Sequence, residues 1–591
     1  MKRIALSLIL AILSLPLLAD SVSSQRARIV ADRFMAADGT RAGNVVLSGS
    51  FDTQAHLMAT RSAEEPAFYV FNRPGGGFVI ISGDDAFGPV LAYSYTGSFP
   101  TDTYIPTNLR GWMEDMAFSI GDIRSEHLTA STEVAQRWAA YEQPTTRAGI
   151  RRAEPVKYYA TATWSQSAPY NLFCPNIGGS LAVTGCVATS IGILMHYYKY
   201  PTRALKTIPS HSGTGYTMPS RTPNYDYQWD KMLMIYTGDG YTTEEAEACA
   251  RLLADIGQVG QLDYGVESTG GQTAEVLGLM TEYFGYDKGL VNESRYYYTD
   301  DEWAAKLKKE LDQRPLSYTG RSESGGHAFV MDGYDTDGLF HMNWGWNGSR
   351  NGYYGINAFY KYVSNHAATF GFKPDAGGSF QPLYAIYVGT TSAGVSYKGL
   401  EMTSASITPN VSFSMKVGGI INKGFETYDV EAAVCHCDVN GNFKSTVSGM
   451  MDLSTLGQNY WRGFSPSCKI TDPIEPGDRL YVFYHTKGQN DWVRIKCPNN
   501  EGAVEYIDIA SYLSLEASTA MNYDKATGTL TIHSLRSGIS IAIAAESGAS
   551  LSQYITEQSG ELSIKVNQLP AGKYTVTLSS STEKKTLNIV K

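Results

Sequence analysis

Thr184-Gly185-Cys186-Val187-Ala188-Thr189-Ser190 leads into the apolar run Ile191-Gly192-Ile193-Leu194-Met195-His196-Tyr197-Tyr198. The apolar positions recur at helical spacing, so the stretch predicts a helix whose first turn carries Cys186. Backbone N–H groups at a helix start lack partners within the helix, and the macrodipole there is positive. Both favour a thiolate over a thiol, which makes Cys186 a candidate nucleophile. An arbitrary cysteine is more often a packed core residue, so the reading depends on what the rest of the chain supplies.

It supplies a base. Gly325-Gly326-His327-Ala328-Phe329-Val330 offers a histidine whose glycine lead-in lets backbone and substrate approach closely. The apolar strand behind it would hold the ring still. An imidazole beside the thiol lowers the thiol pKa and returns a proton to a leaving amine. Asn343 follows in Asn343-Trp344-Gly345-Trp346. Its amide oxygen is expected to accept the ring N–H of His327, with Trp344 and Trp346 shielding that bond from water. Two tryptophans also simply fill a core, and the two roles are compatible. Upstream, Gln166 in Thr163-Trp164-Ser165-Gln166 is expected to point its amide at an oxyanion, beside the Cys186 backbone N–H.

The N-terminus sets the compartment. Lys2 and Arg3 precede an apolar run from Ile4 to Leu18, closed by Ala19 and Asp20. That pattern reads as a secretory signal peptide over 1–19. A spanning helix needs about 20 apolar residues, so the run is short for a membrane anchor. The chain is expected to be secreted or displayed at the cell surface. With 48 basic against 58 acidic residues and no basic run, no nucleic-acid partner is expected. Seven cysteines form an odd set, and taking Cys186 as a free nucleophile leaves six that could pair. Cys435-His436-Cys437 places two thiols on one face of a strand, which suits packing better than a metal site; no metal or cofactor is expected.

A chain of 591 residues should hold roughly three to five domains. Residues 20–150 read as an α+β unit: a short helix from Ala27 to Met35, then strands Ala67–Phe71 and Gly77–Ile81 flanking a Pro74-Gly75-Gly76-Gly77 turn. A helix-compatible segment runs from Thr132 to Tyr141. The polar, Pro-bounded stretch Gln143–Pro155 reads as an exposed linker open to proteolysis. Residues 151–385 carry both motifs, with helices expected near 244–257, 272–284 and 301–313. Strands are expected near 316–319, 327–334, 339–344 and 352–356. Helices first and strands second fit a two-lobed α+β unit with a cleft between its lobes. Beyond that, short β-like segments suggest two β-sandwich modules, 386–512 and 513–591.

Several blocks in one order resemble the streptopain family of secreted bacterial cysteine proteases, within the papain-like fold. They are Pro169-Tyr170-Asn171-Leu172, Thr184-Gly185-Cys186-Val187-Ala188-Thr189, Leu262-Asp263-Tyr264-Gly265, Gly325 to Gly333, and Asn343-Trp344-Gly345-Trp346. The resemblance implies Cys186 as nucleophile, His327 as general base and acid, Gln166 in the oxyanion hole, and Asn343 with Trp344 supporting the histidine. It places substrate binding loosely at Ser268, Thr269 and Gly270, with Gly326 and Trp346.

Gly77-Phe78-Val79-Ile80-Ile81-Ser82-Gly83-Asp84-Asp85 resembles part of that family's propeptide. This implies an inhibitory prosegment over 20–150 and cleavage in the linker near Arg147 to Lys157, with Ile150 suited to the position two before a cut after Arg151. The final stretch from Leu569 to Lys591 resembles a C-terminal sorting domain of Bacteroidota type IX secretion, which implies passage across an outer membrane or surface attachment. The expected partners are protein or peptide substrates, the chain's own prosegment, and that secretion machinery.

Two other functions use the same residues differently. A papain-fold acyl transferase would pass the acyl group to an amine instead of water. An inert surface-binding protein would leave the work to the β-modules.

Overall fold

The computed structural model describes residues 21–36, 45–51, 66–101, 105–142, 153–322, 325–356, 366–378, 380–390, 394–499, 502–513, 515, 519–535, 539–556, 560–580 and 583–591. The expected signal peptide and residues 143–152 of the expected linker lie outside the described residues; the C-terminal end of the expected cleavage region, Pro155 to Lys157, lies in a strand, Pro155–Tyr158. The chain divides into two compact units, Met1–Gly378 and Ser379–Lys591.

In the first unit, α1 (Ser24–Ala36) buries Ala27, Val30, Ala31 and Phe34 along one face. Strand β1 (Val46–Phe51) pairs with β2 (Phe68–Asn72), and the buried face of α1 packs on β2, β3 (Phe78–Ser82) and β4 (Val90–Ser94). The expected hairpin is β2–β3, in register from Phe68↔Ser82 to Asn72↔Phe78. Next comes α2 (Thr107–Ser125), an element not among the sequence expectations. Its Leu109, Trp112, Met113, Met116, Ile120 and Ile123 are buried at helical spacing. Helix α3 (Thr132–Glu142) closes this segment.

After β5 (Pro155–Tyr158) and a short hairpin of β6 (Asn176–Ile177) and β7 (Ser180–Leu181), α4 spans Cys186–Tyr198. Every residue of α4 from Val187 to His196 is buried. The helix is apolar all round because it is the central post of the unit, packed against α5 (Thr243–Val259) and the main sheet. A second hairpin, β8 (His211–Gly213) with β9 (Tyr216–Met218), precedes α5. Helix α5 starts on a capping box of Thr242 with Glu245, and α6 (Thr273–Phe284) follows. Strand β10 (Val291–Ser294) leads to α7 (Asp300–Leu311), which carries a second capping box, Thr299 with Glu302. The remaining strands are β11 (Leu316–Ser322), β12 (Gly325–Asp335), β13 (Phe340–Asn343), β14 (Gly352–Tyr354) and β15 (Ala367–Phe370).

These strands form one antiparallel sheet of 11, in the order β1-β2-β3-β4-β14-β13-β12-β11-β15-β10, with β5 on β12. The N-terminal strands therefore extend the sheet of the motif-bearing region. The seam is β4 against β14, where Tyr93 pairs with Tyr353 and Ala92 with Tyr354.

The second unit holds two β-sandwiches. One encloses Ile386, Met415, Ile420, Val434 and Val482 between sheets built on Phe413–Asn422 and on Val430–Cys437 with Arg479–Thr486. The other encloses Leu530, Ile532, Ile541, Val576 and Leu578 between a three-stranded and a four-stranded sheet. Cys435 and Cys437 share a face and pack with Ala433, Tyr481 and Phe483, while His436 between them bonds Asp478 at 2.6 Å. All seven cysteines are free, and the six besides Cys186 are buried; the pairing that an even remainder allows does not form. Among the described residues no helix is long and apolar enough to cross a membrane, and no cluster of three His, Cys, Asp or Glu could hold a metal ion.

Candidate active site

Gly185 caps the start of α4 with φ +81° and no side-chain hydrogen bond. A Cβ at that position would lie 2.9 Å from the Thr269 carbonyl oxygen, so only glycine lets the helix start approach the 265–271 loop this closely. Thr189 Oγ1 bonds the Gly185 carbonyl at 2.9 Å and Thr184 Oγ1 at 2.9 Å, fixing the turn from below. The Cys186 thiol sits on this uncapped turn. Burial pushes its pKa up, and the backbone N–H groups of Ala328, Cys186 and Val187 pull it back.

Cys186 and His327 line one cleft of about 500 Å³. Thr269, Gly270 and Gly326 line it as well. Thr269 spends its hydroxyl on the loop itself, donating to the Val183 carbonyl at 2.6 Å and accepting from Gly265 N–H at 3.2 Å. Ser268 is exposed and lies outside the cleft lining, and so does Trp346. Gln166 is buried and shares a small recess with Cys186, Asn343 and Trp344. Its backbone carbonyl receives Thr184 N–H at 3.0 Å, which ties the expected oxyanion donor to the turn before the thiol.

Asn343 does not reach His327. Its Nδ2 donates to Thr161 Oγ1 at 3.0 Å and to the Ala162 carbonyl at 2.8 Å, and its Oδ1 accepts from Gly345 N–H at 3.3 Å. Thr161 in turn donates to Asp332 at 2.6 Å. The amide therefore braces β13 against the segment before α4, and the expected Asn343–imidazole bond is absent. The sequence spacing was right for adjacent strands, but the pairing register aims the amide elsewhere. Trp344 is a buried plug, 4.7 Å from the Phe329 ring and 5.0 Å from that of Tyr354.

His327 faces a different neighbour. Its Nε2 is buried without a hydrogen-bond partner. The ring borders a cavity of about 30 Å³ whose other wall is α2, through Asn108, Trp112, Asp115 and Met116. Desolvation there lowers its pKa to about 4. Asn108, the second residue of α2, donates to the Trp344 carbonyl at 2.6 Å and accepts from the Trp346 indole at 3.2 Å. One turn on, Trp112 donates to the Gly355 carbonyl at 2.6 Å and Asp115 meets His366 at 2.8 Å. None of Asn108, Trp112, Asp115 and His366 stands out in the sequence as chemistry-bearing. The apolar periodicity of α2 was the available signal.

A thiol on a free helix start, facing a histidine-bearing strand across a cleft between a helical and a sheet lobe, defines a papain-like cysteine peptidase. Residues 164–354 match the model of the Peptidase C10 family, and residues 19–120 match the Spi protease inhibitor model. Streptopain of Streptococcus pyogenes is 32% identical over 314 residues, covering 49% of this chain and 74% of that protein. The thiol protease/hemagglutinin PrtT of Porphyromonas gingivalis is 28% identical over 517 residues; this chain spans 57% of its length, and the match covers 84% of this chain. Among solved structures, a prointerpain A fragment of Prevotella intermedia matches at 27% identity and TM-score 0.43, covering 56% of this chain and 100% of that one. The chain belongs to the Peptidase C10 family of cysteine peptidases.

Proposed function

We propose that this chain is a secreted cysteine endopeptidase, made as an inactive zymogen whose N-terminal segment keeps its histidine out of use. The observation that carries the reading is the position of His327. It lines the cleft with Cys186, yet its Nε2 is buried and unpartnered against α2.

In this arrangement neither charge of a thiolate–imidazolium pair is favoured. Burial raises the thiol of Cys186 and lowers His327 to about 4. A neutral thiol is a weak nucleophile, so the enzyme is latent. Cleavage in the linker before Ala153 frees the segment that carries α2. Water and the thiol then reach His327, its pKa rises, and the ion pair forms across the cleft. The thiolate attacks the peptide carbonyl, and the oxyanion is met by Cys186 N–H and the Gln166 amide. His327 gives its proton to the leaving amine, leaving a thioester on Cys186. It then takes a proton from the water that hydrolyses the thioester.

Export is supported by the charged and apolar pattern of residues 1–19. The module from 513 to 591 closes its own core around Leu530 and Val576, which suits a separable domain for the secretion machinery or surface attachment.

The test uses the full-length protein with casein as substrate, with and without a thiol-reactive epoxide, beside Cys186→Ala. The expected result is cleavage that appears after linker processing, is blocked by the epoxide and is lost in Cys186→Ala. Cleavage that survives in Cys186→Ala sinks the assignment. Acyl transfer to amines without net hydrolysis would move the protein to a transferase role.

A further inference from the structure

Asp115 of α2 is a carboxylate 5% exposed, which is costly for a charge unless something specific receives it. What receives it is His366, whose Nε2 lies 2.8 Å from Asp115 Oδ2. The ring is held in one tautomer from behind. The Tyr318 hydroxyl accepts from Trp303 Nε1–H at 3.2 Å and from the Arg295 guanidinium, which fills both of its lone pairs, so its own proton goes to His366 Nδ1 at 3.0 Å. Nδ1 is therefore an acceptor, and the ring N–H points from Nε2 at the carboxylate. The Arg295 guanidinium flanks the same hydroxyl and adds positive potential.

This receptor belongs to the β-sheet lobe, while the carboxylate belongs to the N-terminal segment. His366, Tyr318, Gly320 and His327 border the small cavity beneath α2. Gly320 and His327 also line the main cleft. Withdrawing α2 therefore joins the Asp115 position to the cleft and leaves a preset N–H donor facing it.

Resting on the zymogen reading above, we propose that the place filled by Asp115 is a substrate subsite, and that His366 makes it specific for a carboxylate side chain. The N-terminal segment thus occupies the cleft wall as an acidic substrate would, with Asp115 as its anchor. A charge-assisted hydrogen bond from a fixed donor distinguishes aspartate from asparagine, which have the same shape. Arg295 is shared with Asp300 at 2.6 Å, so the donor that decides is His366.

The experiment takes self-processed enzyme and a peptide library that scans each position around the cleaved bond with Asp, Asn, Glu and Gln. Wild type is expected to favour Asp or Glu over its amide about tenfold in kcat/KM at one position. In His366→Gln that ratio is expected to fall close to one, and Tyr318→Phe, which removes only the hydroxyl that orients the ring, is expected to reduce it in part. The ratio is internal to each variant, so a general loss of activity or of folded protein does not imitate the result. Cleavage with no acidic preference at any position overturns the subsite and leaves the peptidase reading intact. A preference unchanged in both variants overturns the assignment to His366. No cleavage by processed wild type overturns the peptidase reading, and the subsite with it.

Discussion

The Tyr93 hydroxyl donates to the Asp335 carboxylate at 2.8 Å, across the seam where the N-terminal strands join the sheet that carries His327. Asp335 Oδ1 also receives Leu339 N–H at 2.8 Å and Asp337 N–H at 3.0 Å. Burial nevertheless raises the Asp335 pKa to about 6. The seam is thus held by a carboxyl group that prefers its proton more than a solvated one does.

That preference gives a pH slope with a defined sign. A carboxyl raised from 3.8 to about 6 binds its proton more tightly in the folded chain. Its contribution is complete below pH 4 and lost as pH rises through 6, by about 3 kcal/mol at 1.36 kcal/mol per unit. His327 titrates with the opposite sign in the same window, so the Asp335 slope is read as the difference in unfolding free energy between Cys186→Ala and Cys186→Ala/Asp335→Asn chains, which should change in this direction between pH 4 and 7.

His327 contributes with the opposite sign. Its folded pKa is lowered to about 4, so its neutral form stabilises the closed arrangement above pH 6.5. That contribution is lost as pH falls from 6.5 towards 4. Ring-proton titration by NMR in the intact Cys186→Ala chain should find His327 near 4, and near or above 6 once the N-terminal segment is removed. A value near 6.5 in the intact chain would contradict the burial described above.

Asn108 ties α2 to the Trp344 carbonyl and the Trp346 indole. Asn108→Ala leaves both groups without that partner, a loss of about 2 kcal/mol. The rate at which the full-length protein processes itself should rise by roughly tenfold or more, while kcat/KM of the processed enzyme stays the same.

Gly185→Ala strains the α4 start in two ways. Alanine resists φ +81°, and its Cβ would meet the Thr269 carbonyl at 2.9 Å. A cost of about 1–3 kcal/mol is expected. The 265–271 loop must move, so the thermal midpoint should fall and KM for peptides should rise, with Cys186 still alkylated by the epoxide.

Much of the architecture was legible because local signals and tertiary demands agree. The run after Cys186 is apolar on every side, and α4 is buried on every side. The helices expected near 244–257 and 301–313 form as α5 and α7, and each starts on a capping box, at Thr242 and Thr299. Cys186 and His327 were legible as motifs, and the fold brings them to one cleft. For Asn343 spacing and structure differ: the strand register, which spacing leaves open, turns its amide to Thr161 and Ala162. Helix α2 is not legible as a functional element because its buried face is ordinary core sequence, and its polar residues acquire meaning only from what they touch.

By itself the sequence determined that a thiol stands at a helix start, with a histidine on a later strand and an N-terminal segment ahead of both. Those follow from periodicity, turn chemistry and chain order, which are local properties. Only the tertiary structure decided that the N-terminal strands continue the sheet through Tyr93 and Tyr353, that α2 closes over His327, and that Asp115 meets His366. Those contacts join residues more than 200 positions apart, and no local pattern encodes a partner at that range.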